Sequence, residues 1–193
     1  MNAMGLPDSD ECYVSLHEAY SKRNRHYHST VHIDAMLRHY DVTADLAEYP
    51  HQIELAIWFH DAIYKPLSSS NEKDSADWAK DFLAANDYDV IGIDRVYKLI
   101  MATQHHGEVV EHDEKLIVDI DLTILATPNH IYDQFEVNVR KEYWLVPSFI
   151  YRKKRKQLLQ GFLDQNSIYN LGYFINKYEQ SARDNIARAI SLL

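Results

Sequence analysis

Leu55-Ala56-Ile57-Trp58-Phe59-His60-Asp61-Ala62-Ile63 is the stretch on which the fold turns. Five consecutive apolar residues run into a histidine and an aspartate, and two more apolar residues follow. With Ile53 ahead of it, the segment 52–64 is apolar almost all round, the pattern of a helix at the centre of a domain. A carboxylate in that setting is expected to be buried, and burying it unpaired is very unfavourable. Asp61 therefore needs a cation, a hydrogen-bond donor or a shifted pKa. A metal ion would satisfy His60 and Asp61 together. A plain His–Asp hydrogen bond inside the core would satisfy them too, and the doublet taken alone favours that simpler reading.

The periodicity on either side is helical. Residues 29–48 place Ile33, Met36, Leu37 and Tyr40 at i, i+3, i+4 and i+7, and Pro50 is expected to end that element. Residues 10–23 form a less regular helix, and 88–105 carry Val90, Ile93, Tyr97, Ile100 and Met101. Lys65 to Ser70 reads as a loop. Asn71 is expected to cap the next helix, with Asp74 completing a weak capping box. Further helices are expected near 114–126, 129–145, 147–164 and 176–192. Val118 to Ile124 alternates with period two, which argues for a strand, yet no neighbouring segment offers a partner and a lone strand is not stable. That segment is read as helix.

Five Gly and five Pro in 193 residues are too few for a sandwich of many short strands. The expected architecture is an all-α single domain over 1–193, with a core at about 25–126 and additional C-terminal helices at about 127–193. A hydrophobic content of 46% argues against reading the chain as disordered. A net charge of −9 argues against a nucleic-acid duplex or a membrane as partner. Cys12 is the single cysteine and cannot pair within the chain, which fits a reducing compartment. Residues 1–10 do not read as a signal peptide, and no apolar run approaches the ~18 residues needed to span a bilayer. The expected location is the cytoplasm, with self-association left open.

Eleven histidines lie between His17 and His130, several in clusters: His26/His28/His32, His60 and His105/His106. If helical, His28 and His32 share a face, at metal-ligand or acid–base spacing. Asp121 sits between Ile120 and Leu122, a second carboxylate in an apolar run, with Asp119 competing for the same role.

The order His32, His60-Asp61, Asp121 resembles the signature of the HD superfamily of metal-dependent phosphohydrolases. Tyr27-His28-Ser29-Thr30-Val31-His32 is similar to the Tyr-His-Asn-x-x-His box of cyclic-nucleotide phosphodiesterases, with Ser29 in place of Asn. The pieces Arg25-His26-Tyr27-His28, His60-Asp61-Ala62-Ile63-Tyr64, Asn71-Glu72, Ser75-Ala76, His105-His106 and Asp119-Ile120-Asp121-Leu122 resemble, in that order, a bacterial group of predicted HD phosphohydrolases. The resemblance spans about residues 10–190. It implies an HD-type helical bundle with the metal between core helices and His32, His60, Asp61 and Asp121 as ligands.

Such a nitrogen–oxygen set suits one divalent Mn, Fe, Co, Ni or Zn ion, with Mg a poorer fit, and leaves room for a second metal. The implied reaction is hydrolysis of a phosphoester or phosphoanhydride, on a small phosphorylated substrate such as a nucleotide, by metal-activated water. His28 is then expected as general acid and Glu72 as a group that orients water, beside Asp61. Arg25, His105 and His106 are expected to meet the substrate. Tyr27 and Tyr64 are expected to line the site. Arg140 and the basic run Arg152 to Lys156 carry no assigned role. Two other readings share the scaffold. A di-iron oxygenase would need extra ligands from His105 and His106, and a non-catalytic nucleotide-binding module would not need all four ligands intact.

Overall fold

The computed structural model describes residues 4–7, 9–104 and 109–193. Among them run nine α-helices: α1 (Asp10–Tyr20), α2 (Thr30–Asp41), α3 (Pro50–Phe59), α4 (Asn71–Ala85), α5 (Val90–Ala102), α6 (His112–Asp121), α7 (Asn129–Glu142), α8 (Ser148–Leu163) and α9 (Gly172–Leu192). Short 3-10 helices occupy Ala44–Leu46 and Leu122–Ala126, and the described residues contain no strand. The fold is all-α. None of these helices is long and apolar enough to cross a membrane. The chain divides into two compact units, residues 1–120 and 121–193, so the division falls at the last residue of α6.

In the first unit α3 packs against α2, α4 and α5. Its side chains explain this central place: Ile53, Leu55, Ala56, Ile57 and Phe59 are all buried, as an all-round apolar helix requires. Pro50 stands at the first position of α3, where a missing N–H costs nothing. The Asp113 carboxylate of α6 accepts from the Glu48 and Tyr49 N–H groups at 2.8 Å each, which ties α6 to the start of α3. Gly92 in the first turn of α5 leaves room for the Tyr88 ring, which a Cβ there would meet.

Two helices stop earlier than the sequence suggests. The helix expected over 29–48 ends at Asp41, because Thr43 turns back on it, donating its hydroxyl to His39 O at 2.8 Å and its N–H to Tyr40 O. Pro50 begins the following helix rather than ending this one. The helix expected over 52–64 ends at Phe59, because the polar backbone groups after it bind side chains from elsewhere in the unit, as described below. Asn71 also departs from expectation. Ser70 takes the N-cap position and Asn71 opens α4, facing the preceding loop. Val118 to Ile124 is helical, as the α6 end followed by a 3-10 turn.

In the second unit the 3-10 segment Leu122–Ala126 packs against α9 and α7. Tyr169 donates its hydroxyl to Leu122 O, and the buried Asn185 amide donates to Leu125 O at 2.9 Å and Thr127 O at 2.8 Å. Glu179 of α9 accepts from the Ile168 and Tyr169 N–H groups and pairs with Arg183 at 2.7 Å. Within the basic run, Arg155 holds Glu136 with two hydrogen bonds of 2.8 and 2.9 Å, while Arg152, Lys153, Lys154 and Lys156 are exposed.

Candidate metal centre

His60 is the residue that follows the last turn of α3, and it is almost wholly buried. Its Nδ1 lies 2.8 Å from Ile57 O. A carbonyl can only accept, so Nδ1 carries a proton, and Nε2 is the ring nitrogen that faces His32 and Asp61. This is the arrangement in which a backbone carbonyl orients a metal-binding imidazole. His32 comes from the first turns of α2, and its Nε2 lies 3.2 Å from His60 Nε2. Asp61 Oδ2 lies 3.2 Å from His60 Nε2 and 3.9 Å from His32 Nε2.

Asp121 is the last residue of α6. One ligand atom from each of His32, His60 and Asp121 lies within 4.8 Å of the others. Donors about 2.0–2.2 Å from a shared ion stand roughly 3–4 Å apart, so this trio converges on a volume that one ion fills with a modest contraction. Two imidazole nitrogens and carboxylate oxygens are a donor set for a divalent first-row metal. His32, His60 and Asp121 could hold such an ion, and Asp61 reaches the same two imidazoles. Asp119, the competing acid, is fully buried two residues earlier in α6.

Burial alone would raise the Asp61 pKa, but the nearby imidazoles of His60, His28 and His32 outweigh it and hold the carboxyl well below the usual carboxylate range. The group is thus built to be an anion while almost excluded from water.

His28 differs from expectation in its backbone. It lies in the turn ahead of the Ser29 N-cap, so it does not share a helix face with His32. It still reaches the site, with Nε2 3.9 Å from Asp61 Oδ2. Its ring stacks on Tyr64 at 4.0 Å between centroids and meets Tyr27 edge-on at 4.9 Å. Tyr27 and Tyr64 therefore do flank the cluster. Tyr64 also lines a cleft of about 300 Å³, together with Lys22, Lys65 and Trp78.

The backbone that carries Asp61 is held from outside α3. Tyr20 accepts from the Asp61 N–H at 3.2 Å and donates to Trp58 O at 3.0 Å. Arg25, expected to meet a phosphate, is instead buried, and its guanidinium donates to the carbonyls of Asp61 at 2.6 Å, Ala62 at 2.7 Å and His28 at 3.1 Å. It thus clamps the His28 turn to the His60-Asp61 loop. Ser75 accepts from the Ile63 N–H, and the Asn71 side chain both accepts from and donates to Lys65. These bonds replace the helical ones that α3 would otherwise make, which is why the chain turns at His60.

Glu72, in the first turn of α4, is half-buried with no hydrogen bond or ion pair to another described residue. His105 and His106 lie outside the described residues. Sequence reasoning missed Tyr20, one of fourteen tyrosines, whose partners lie about forty positions away. The chain was compared with protein-family models, curated proteins and solved structures, and it matches none.

Proposed function

We propose that this chain is a metal-dependent phosphohydrolase of the HD type, cleaving a phosphoester or phosphoanhydride in a small nucleotide. The observation that carries the reading is the His60 imidazole: its Nδ1 is committed to Ile57 O, and its Nε2 meets His32 Nε2 and Asp61 Oδ2 at 3.2 Å each. Such convergence of two imidazole nitrogens and an anionic carboxylate serves a cation better than it serves a plain core hydrogen bond.

In this reading His32, His60, Asp61 and Asp121 hold one divalent ion, of Mn, Fe, Co, Ni or Zn, which when bound activates water and polarises the phosphorus centre. His28 acts beside it as general acid. Its ring is stacked on Tyr64 on the Asp61 side of the cluster, where it can donate a proton to a leaving oxygen. Glu72 orients water. Buried Cys12, with no second cysteine, supports a cytoplasmic setting.

The test is metal analysis of the purified full chain, then phosphate release across nucleotides with each divalent metal supplied, in the absence of oxygen. Tight binding of one divalent ion, lost in Asp61→Ala and His60→Ala, with anaerobic phosphate release, is the expected result. Full metal content in both variants would remove the site. Turnover seen only with oxygen consumption would favour an oxygenase on the same scaffold.

A further inference from the structure

The second unit presents exposed apolar side chains beside a basic helix face. Trp144 and Leu145 follow α7 and are 70% and 66% exposed, and Phe149 in the first turn of α8 is 75% exposed. The turn is braced. Arg140 donates to the carbonyls of Tyr143 and Val146 and lies over the Tyr151 ring at 4.8 Å. The apolar side chains are therefore held outward by a fixed backbone.

Arg152, Lys153 and Lys156 stand three, four and seven residues after Phe149, on the same helix face, and all three are exposed. Tyr143 to Leu163 contains five basic residues and no acidic one. Ten Lys and Arg against seven Asp and Glu give residues 121–193 a net charge of +3, within a chain of net charge −9. The whole-chain charge, which argues against an anionic surface, conceals this segregation.

We infer that this face docks on an anionic lipid surface. Indole and phenyl rings favour the headgroup level of a bilayer, and clustered Lys and Arg are drawn to its negative charge. Neither signal is sufficient alone, and together they give reversible peripheral binding. Two alternatives fit the chemistry less well. An isologous contact with a second copy would set the basic residues against themselves. Single-stranded nucleic acid would use aromatic faces lining a groove, whereas here the exposed rings of Trp144 and Phe149 share the face with an exposed aliphatic Leu145.

The test uses the full chain with phosphatidylcholine vesicles, with and without phosphatidylserine. Co-sedimentation is expected only with the anionic vesicles and is lost on adding salt. Trp144 fluorescence is expected to shift to the blue, and Trp144→Phe removes the shift while binding persists. Lys153→Glu with Lys156→Glu is expected to lower partitioning roughly thirtyfold or more, at the energy typical of each basic residue near such a surface. Trp144→Ser with Phe149→Ser abolishes it, with helix content and metal content unchanged. No preference for anionic vesicles, or a preference that survives these variants, overturns the inference. So does a concentration-dependent dimer broken by the same variants, or tighter binding to a single-stranded oligonucleotide than to vesicles.

Discussion

Replacing Arg25 by methionine removes three donors at once from the backbone that carries the cluster. The carbonyls of Asp61 and Ala62 lose buried partners at 2.6 and 2.7 Å, and His28 O loses one at 3.1 Å. An orphaned buried carbonyl costs about 1–3 kcal/mol, so the two buried ones together cost about 2–6 kcal/mol. Removing the guanidinium also relieves its own desolvation, and methionine keeps part of the packing between Tyr20 and Tyr64, which offsets some of that loss. A net destabilisation of about 2–4 kcal/mol follows, or a fall in Tm of roughly 5–15 °C for a chain of this length. Divalent-metal affinity, measured by competition with a chromogenic chelator, is expected to fall as well, because the His28 turn and the His60-Asp61 loop lose their common clamp. Arg25→Lys reaches fewer carbonyls and should lie between the two. A phosphate-binding Arg25 would behave differently, raising KM with Tm and metal affinity intact. A Tm within about 2 °C of the parent and unchanged metal affinity in Arg25→Met would refute the clamp.

Three further outcomes are expected. His28→Ala should lower kcat by about 10²–10⁴ with metal content unchanged, and the loss should shrink for leaving groups that are weak bases; equal losses on every leaving group would remove the general-acid role. Glu179, whose carboxyl is held below its usual pKa by hydrogen bonds from Ile168, Tyr169 and Arg183 that outweigh its burial, contributes stability above the ordinary glutamate pKa and loses it as pH falls through the depressed folded value. Acid titration of thermal unfolding should therefore show a flatter pH dependence in Glu179→Gln than in the parent. Asp87, in the α4–α5 connection, has a positive φ of 54°, so Asp87→Gly should leave Tm unchanged or raise it slightly, whereas Asp87→Val should lower it by several degrees.

The helices that carry His32 and the His60-Asp61 doublet are legible along the chain because their signals are local. An all-round apolar run ending in His60-Asp61 reads as a central helix with a buried carboxylate, and α3 is that helix. The stripe through Ile33, Met36 and Tyr40 places His32 on α2, and the few Gly and Pro exclude a sheet-rich fold. Even the alternating segment 118–124 yielded to the absence of a strand partner.

What the tertiary structure alone decided is where those helices stop and which groups hold the backbone beyond them. α3 ends at Phe59 because Tyr20, Arg25, Ser75 and Asn71, scattered over more than fifty positions, take up the polar groups of residues 61–65. No periodicity encodes such bonds. Each is a long-range pairing of one side chain with one peptide group, and its partner is defined only once the helices have packed. The same reason turned Arg25 from an expected phosphate ligand into a clamp: its charge is visible in the sequence, but the three carbonyls that surround it are a property of the fold.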